Sequence, residues 1–383
     1  MKNRIFAAVA MLMATTTFAA NDNYNLRVAN RPTEISVGAG YTQMNDQFGN
    51  NTNAYGISVE AKRLFPFGNR FNLIVGGEVG VNIPQNSKWG LLTNVDVLAG
   101  VRLGNKFYVE ADAKVGLNER PYFATATAED GSCEVNHYRA NWKPAFGPKV
   151  TIGYQGKKVG FALFAEYMLS AKGGNLQLEE HEGFVASPIQ FYNTSWTAGA
   201  KLTFFVNKEQ QYGGDAAWGA YVGGGYSFLS NKGPVAMVGL NKFKRTGAKT
   251  GLFYGAEVRS TQTDNIGSAE AVMGTFSFSW LPMGSANGIF ADFGVKAGFG
   301  EYLKQISAES ANGYTMSSKI KEVCPVGMAA LKIGVNLGRV SVWVGGDFGG
   351  HIPGKSGFVN LDGSSTKTKT VDGSVTAGVR FNF

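Results

Sequence analysis

The stretch Val375-Thr376-Ala377-Gly378-Val379-Arg380-Phe381-Asn382-Phe383 alternates without a break. Val375, Ala377, Val379, Phe381 and Phe383 fall on one face and Thr376, Gly378, Arg380 and Asn382 on the other, the two-residue period of a β-strand. The apolar face runs to the last residue with no polar tail to cover it, which is out of place on a surface that meets only water. The same order of residue types occurs in mid-chain, as Thr197-Ala198-Gly199-Ala200-Lys201-Leu202-Thr203-Phe204.

Composition points the same way. Hydrophobic residues make up 44% of the 383 and charged residues only 17%, a sparse charge for a water-exposed surface. Met1-Lys2-Asn3-Arg4, then the apolar Ile5 to Met13, then Thr17-Phe18-Ala19 form the basic, apolar and small-residue regions of a secretory signal peptide, residues 1–19. Cleavage is expected after Ala19, because a cut after Ala20 puts bulky Phe18 where a small residue is needed. No Cys follows the cut, which argues against a lipoprotein anchor, and residues 20–32 read as a polar lead-in. Beyond the signal there is no run of about 18 apolar residues, so no helical membrane span is expected. A soluble all-β protein or a membrane barrel remains.

The net charge of +8 falls to +6 when Lys2 and Arg4 leave with the signal. Nucleic acid is not a partner in that compartment. The surplus suits anionic lipid headgroups, or anionic solutes in a pore, and ordinary solvated loop charge explains it equally well. Cys133 and Cys324 are compatible with an oxidising compartment and make no disulfide framework.

After the lead-in, alternation begins at Thr33-Glu34-Ile35-Ser36-Val37-Gly38-Ala39-Gly40-Tyr41 and recurs throughout the chain. Further strands are expected near 54–64, 70–83, 91–103, 106–118, 145–155, 158–170, 194–206, 217–229, 234–244, 249–260, 271–281, 287–300, 325–337, 339–349 and 371–383. Their connections alternate between two classes. Short turns such as Phe67-Gly68-Asn69, Gly104-Asn105, Gly156-Lys157 and Gly338-Arg339 carry Gly or Asn. The connections of the other parity include the long 119–144, 171–193, 301–324 and 350–370. Short turns on one side, long loops on the other and both chain ends on the short-turn side make the arrangement of a membrane barrel.

The chain also matches itself at a period of about 180 residues. Val37-Gly38-Ala39-Gly40-Tyr41 corresponds to Val222-Gly223-Gly224-Gly225-Tyr226, Gly77-Glu78-Val79 to Ala256-Glu257-Val258, and Ala165-Glu166-Tyr167 to Gly346-Asp347-Phe348. This places a first eight-strand repeat at 33–206, a connection at 207–216 and a second eight-strand repeat at 217–383.

Thr376, Gly378, Phe381 and Phe383 fill the polar, glycine and two aromatic positions of the closing-strand signal of Gram-negative outer-membrane β-barrels. The mature chain thus resembles the broad outer-membrane β-barrel and porin-like families. The resemblance implies an integral protein of the cell outer membrane that meets outer-membrane lipid and lipopolysaccharide, is inserted by the outer-membrane assembly machinery and carries no cofactor. The fold expected is all-β: a transmembrane antiparallel β-barrel of about sixteen strands in two eight-stranded repeats, with two tandem eight-stranded barrels as the alternative.

What the polar face carries separates the membrane barrel from a sandwich. On 106–118, Phe107, Val109, Ala111, Ala113, Val115 and Leu117 form an unbroken apolar set, as a lipid-facing wall requires. The opposite faces of the strands hold Glu60, Glu78, Asp96, Glu110, Asp112, Lys114 and Glu166, then Glu257, Arg259, Asp292, Lys296, Lys332 and Asp347. A dry sandwich core tolerates such charges only when they are paired, whereas a lumen that is wet or filled by paired charges accommodates them. Glycines on this face, such as Gly38, Gly40 and Gly378, make room for long neighbours and hint at a narrow barrel.

Little else suggests chemistry. His137, His181 and His351 are all placed in long loops or at their rims, Cys133 and His137 lack further metal ligands, and Glu179-Glu180-His181-Glu182 reads as a solvated acidic loop. The glycine pairs lie inside strands with no helix following, so no phosphate cradle is expected, and His351 near Asp347 is the one local hint of a catalytic pair. The chain therefore reads as a non-enzyme. One wide barrel implies porin-like passive diffusion of small hydrophilic solutes. Two narrow ones imply a non-conducting structural or surface-binding protein acting through its long loops.

Overall fold

The computed structural model describes residues 33–67, 71–104, 106–156, 159–171, 182–206, 216–228, 232–263, 267–284, 287–352 and 371–382. The expected signal peptide 1–19 and lead-in 20–32, His181, most of the expected connection 207–216 and Phe383 lie outside them. The described chain is a succession of strands: β1 Thr33–Asp46, β2 Asn51–Pro66, β3 Phe71–Pro84, β4 Leu92–Gly104, β5 Phe107–Ala128, β6 Glu134–Gln155, β7 Val159–Ser170, β8 Phe184–Ala186 and β9 Gln190–Val206. The second half continues with β10 Ala216–Ser227, β11 Gly233–Gly247, β12 Thr250–Thr263, β13 Gly267–Trp280, β14 Asn287–Glu309, β15 Thr315–Leu337, β16 Val340–His351 and β17 Val371–Asn382. A 3-10 turn, Ser87–Trp89, stands between β3 and β4.

All pairings are antiparallel. In the first half β1 pairs with β2 on one edge and with β9 on the other, through partners such as Val37↔Leu202 and Gly40↔Gly199. Because β4 pairs with β5 as well as β3, the order β1-β2-β3-β4-β5-β6-β7-β9 returns to β1 and the sheet forms a ring. Short β8 adds to β5. In the second half β10 to β17 form a closed barrel, sealed where Val222 of β10 faces Val379 of β17. The single sixteen-stranded barrel expected from the sequence is therefore not formed. It requires β17 to pair with β1, but β9 already occupies that edge of β1 along its length and β10 occupies the edge of β17.

The two faces divide as the alternation requires. Outward residues form an apolar belt on both halves, with Val97 63% and Val375 61% exposed, and Val115, Leu163, Val295 and Val344 similarly uncovered. Inward residues are buried. The outer belt is what a hydrocarbon solvent selects, since each closed ring also satisfies its own strand edges.

Two hairpins far exceed the length of a crossing. β5 and β6 stay paired from Phe107↔Tyr154 to Thr127↔Glu134, and β14 and β15 from Asn287↔Leu337 to Glu309↔Thr315. The spans 119–144 and 301–324, expected as loops, are thus largely strand. Each such strand is about twice as long as a tilted crossing needs, so the excess stands out on the side opposite the short turns.

Candidate functional site: two filled interiors and the contact between them

The first ring encloses a continuous ion network. Lys62 Nζ lies 2.7 Å from Glu110, 3.0 Å from Asp112 and 3.1 Å from Glu60. Arg102 spans two carboxylates, donating to Glu110 at 2.7 Å from Nε and to both oxygens of Glu34 at 2.8 and 2.5 Å. Lys149 bridges Glu60, at 2.7 Å, and Glu78. Lys114 meets Glu166, Glu78 and Asp96 at 2.8, 3.1 and 3.3 Å, and Lys201 meets Glu60 at 2.7 Å. Every cation touches at least one carboxylate that another cation also holds, so the network is a single object. Two rings press on its edges, Tyr108 at 4.1 Å from the Arg102 guanidinium and Phe164 at 4.8 Å from Lys149. Gly153 gives Tyr108 its place, since a Cβ there would come within 2.3 Å of the Tyr108 ring.

Towards the long-hairpin side, the mouth of this ring closes on aromatics. Trp89 packs with Met44, Ala54, Leu92 and Tyr192, with Phe123 and Tyr138 alongside, and its indole donates to the Tyr122 carbonyl at 3.0 Å.

The second barrel is filled differently. Tyr221, Val235, Met237, Phe243, Phe253, Leu281, Phe290 and Trp343 form one buried cluster. Gly378 is glycine because Trp343 lies over it, at 2.5 Å from where a Cβ would stand. The ions here form a smaller group. Lys296 reaches Glu257 at 2.8 Å and Asp347 at 3.1 Å, Arg259 donates to Asp347 at 2.5 Å and Ser374 at 2.8 Å, and the Tyr221 hydroxyl donates to Glu257 at 2.8 Å. Lys332, cross-strand partner of Asp292, sits 4.6 Å from the Tyr221 ring and 4.4 Å from Trp343. Arg380 lies 4.1 Å from the Phe253 ring.

The structure brings the sequence-named charges of each half into its own interior. It also adds Lys62, Arg102, Lys149 and Lys201, the cations that pair with the first set, and Glu34, a further carboxylate held by Arg102. These were readable, because Lys62 shares the face of Glu60, and Arg102 that of Asp96. Of the closing-strand residues, Thr376 is buried on the inner face and Phe381 is exposed on the outer.

The halves meet through residues that strand parity aims outward. Lys321 of β15 lies 2.9 Å from both Glu270 of β13 and Glu301 of β14, and 3.8 Å from Glu119 of β5 in the first ring. Glu119 accepts from the Thr93 amide at 3.0 Å and hydroxyl at 2.7 Å, and Glu301 accepts from the Leu91 amide. All four charged groups are buried, so they face each other and not lipid. The hairpin tips continue the contact. The Ala311 amide donates to Ser132 at 3.0 Å, Asn312 to Asp130 at 3.3 Å, and Met316 packs with Ala126, Ala128, Val135 and Phe184. Hydrogen bonds from Ser132 hold the Asp130 carboxyl below its usual range.

The remaining candidates fall elsewhere than expected. His137 is buried on β6, and His351 ends β16 with its Nδ1 2.9 Å from Asp372, while Asp347 is held by Arg259 and Lys296. His351 and Asp347 do line a common small cavity with Arg259 and Ser374, but the imidazole is directed to Asp372. Cys133 packs beside the tip cluster and is not bonded to Cys324. No group of three or more metal-ligating side chains occurs among the described residues.

A closed antiparallel barrel with an apolar outer belt and its charges inside reverses the polarity of a water-soluble barrel. The chain has the fold of an outer-membrane β-barrel protein. No family model and no curated protein matches it. Among solved structures, Neisserial surface protein A is similar over 46% of this chain and 97% of its own, at 11% identity and a TM-score of 0.31. A Pseudomonas aeruginosa FadL homologue covers 92% and 90%, at 8% identity and 0.32. The beta domain of the Bordetella autotransporter BrkA covers 92% and 100%, at 9% identity and 0.25. At such identities and scores the likenesses add nothing to what the geometry establishes.

Proposed function

We propose that this chain is an integral protein of the outer membrane whose two eight-stranded rings do not conduct, and that it works through the surface its two long hairpins build on the outer side. The observation that carries this reading is the Lys62–Glu110–Arg102 network, which joins Glu34 of β1 to Glu60 of β2 and Asp112 of β5 across the first interior. Eight strands leave an interior that side chains just fill, and in the second half the Phe243–Trp343 cluster does so with aromatics. Porin-like diffusion of hydrophilic solutes needs a wider ring. The partners implied are membrane lipid and lipopolysaccharide around the belts and the assembly machinery during insertion, with residues 1–19 removed as a signal. No catalytic role is assigned.

The reading includes an internal duplication. Glu78 and Glu257 stand inward on the third strand of their respective rings, Glu166 and Asp347 on the seventh, and the long hairpin is formed by the fifth and sixth strands in both.

Planar-bilayer recording of the purified full-length protein tests the function. A silent bilayer at high protein, with heat-modifiable gel migration showing folded barrels, is the expected result. Stable nanosiemens-scale steps would overturn the closed-lumen reading and restore the diffusion pore.

A further inference from the structure

Among the described residues, exposed positive charge is not spread evenly. On the short-turn side, outward-facing and turn positions carry Arg63, Lys106, Lys242, Lys244, Lys249 and Arg339. The acids near this end, Glu34, Glu110 and Asp292, are buried inside the rings, and among the described residues no exposed carboxylate stands on this rim. The opposite side is mixed, with Asp46, Glu129, Asp130, Glu134 and Glu309 against Lys88 and Lys232.

Three of these cations are each held beside an aromatic ring at the edge of the apolar belt. The Arg63 guanidinium lies 5.5 Å from the Phe65 ring, Lys106 Nζ 5.4 Å from Tyr154, and Lys242 Nζ 5.3 Å from its cross-strand partner Trp218. A long cation whose stem lies along an apolar wall and whose head stands at its edge is placed for the headgroup layer. The neighbouring ring fixes that height, as interfacial aromatics do. Among the described residues, no exposed carboxylate of the rim stands against these cations. A lipid phosphate supplies that charge at the depth where the heads lie.

We propose that the short-turn rim is a binding belt for anionic phospholipid headgroups, which Arg63, Lys106, Lys242 and Lys244 recognise through their phosphates. The proposal rests on the membrane-barrel reading above, with the short turns facing the periplasmic leaflet. A basic residue near an anionic surface strengthens binding about fivefold, so four together favour anionic over zwitterionic lipid strongly and in a salt-dependent way.

The test uses the full-length protein reconstituted in vesicles of phosphatidylethanolamine containing a minor fraction of phosphatidylglycerol. Patches are excised with a styrene–maleic copolymer, and the lipid that stays with the protein is quantified by mass spectrometry. Enrichment of phosphatidylglycerol over the input is expected, falling to the input ratio in the R63Q/K106Q/K242Q/K244Q variant and keeping its value in a K88Q/K232Q control on the other side. Wild-type lipid at the input ratio, or equal enrichment in the quadruple variant, would overturn the belt. Heat-modifiable migration of each variant is recorded alongside. Its presence without enrichment sinks the belt alone, whereas its absence from the wild type sinks the membrane-barrel reading beneath it.

Discussion

The two halves enclose the same number of strands around interiors of opposite character. In the first, Lys62, Arg102, Lys114, Lys149 and Lys201 interlock with Glu34, Glu60, Glu78, Asp96, Glu110, Asp112 and Glu166. In the second, Tyr221, Phe243, Phe253, Phe290 and Trp343 take much of the space, and the ions shrink to a group around Glu257, Lys296, Arg259 and Asp347. Strand number fixes how much must be put inside a ring, and leaves open whether salt bridges or aromatic rings fill it. The consequence is energetic. Removing one ion from the first interior strands others in a dry space, while trimming a ring in the second leaves a cavity.

The largest effects should test that contrast directly. Lys62→Met takes the cation from Asp112 and one of those shared by Glu60 and Glu110, which Lys149, Lys201 and Arg102 still hold, and should destabilise the first ring by about 3–5 kcal/mol. Phe243→Ala in the second barrel should cost about 3–5 kcal/mol by opening a void. Both are read by denaturant titration of heat-modifiable migration after cleavage at a protease site placed within 207–215, which reports each half separately. A first ring indifferent to Lys62→Met would break the comparison. A smaller effect, about 1–3 kcal/mol, is expected for Lys321→Met, which leaves the junction carboxylates buried without their cation. Its measure is co-purification of the two cleaved halves, which should persist with Lys321 and weaken without it.

The remaining effects sharpen the contrast at single hydrogen bonds. Tyr221→Phe removes the donor to Glu257 and should lower second-barrel stability by about 1.5–3 kcal/mol, because the acceptor is charged. Ser36→Ala breaks a neutral hydroxyl pair with Thr203, 2.8 Å apart in the first ring, and should cost about 0.5–1.5 kcal/mol. Equal losses in the two variants would show that local charge is not what sets the difference.

Strand positions and faces were legible because lipid on one side and a packed interior on the other impose alternation on every crossing. Glu78, Glu166, Glu257 and Asp347 fall on the polar side of that alternation. The upper parts of β5, β6, β14 and β15 were not recognised as strand, because a hairpin outside the membrane needs no apolar outer face. The spacing of the His and Cys residues likewise gave no hint that His137 is buried on β6. Ring number was the hardest to read. Each antiparallel neighbour pair looks the same in one barrel or two, and only the partner of β1 decides. The traces of that arrangement are the Thr197–Phe204 pattern on β9 and the inward glycines, such as Gly38 and Gly40. The junction of Glu119 and Lys321 was also missed, since an outward charge reads as a strand end until another barrel is seen against it.

The β1–β9 seam separates the fates of the two rings. Residues 33–206 contain every strand that the first ring needs and residues 216–382 every strand of the second, so neither closure borrows a strand from the other. Loss of β17 therefore unseals the edges of β10 and β16 and leaves the β1–β9 pairing of the first ring in place.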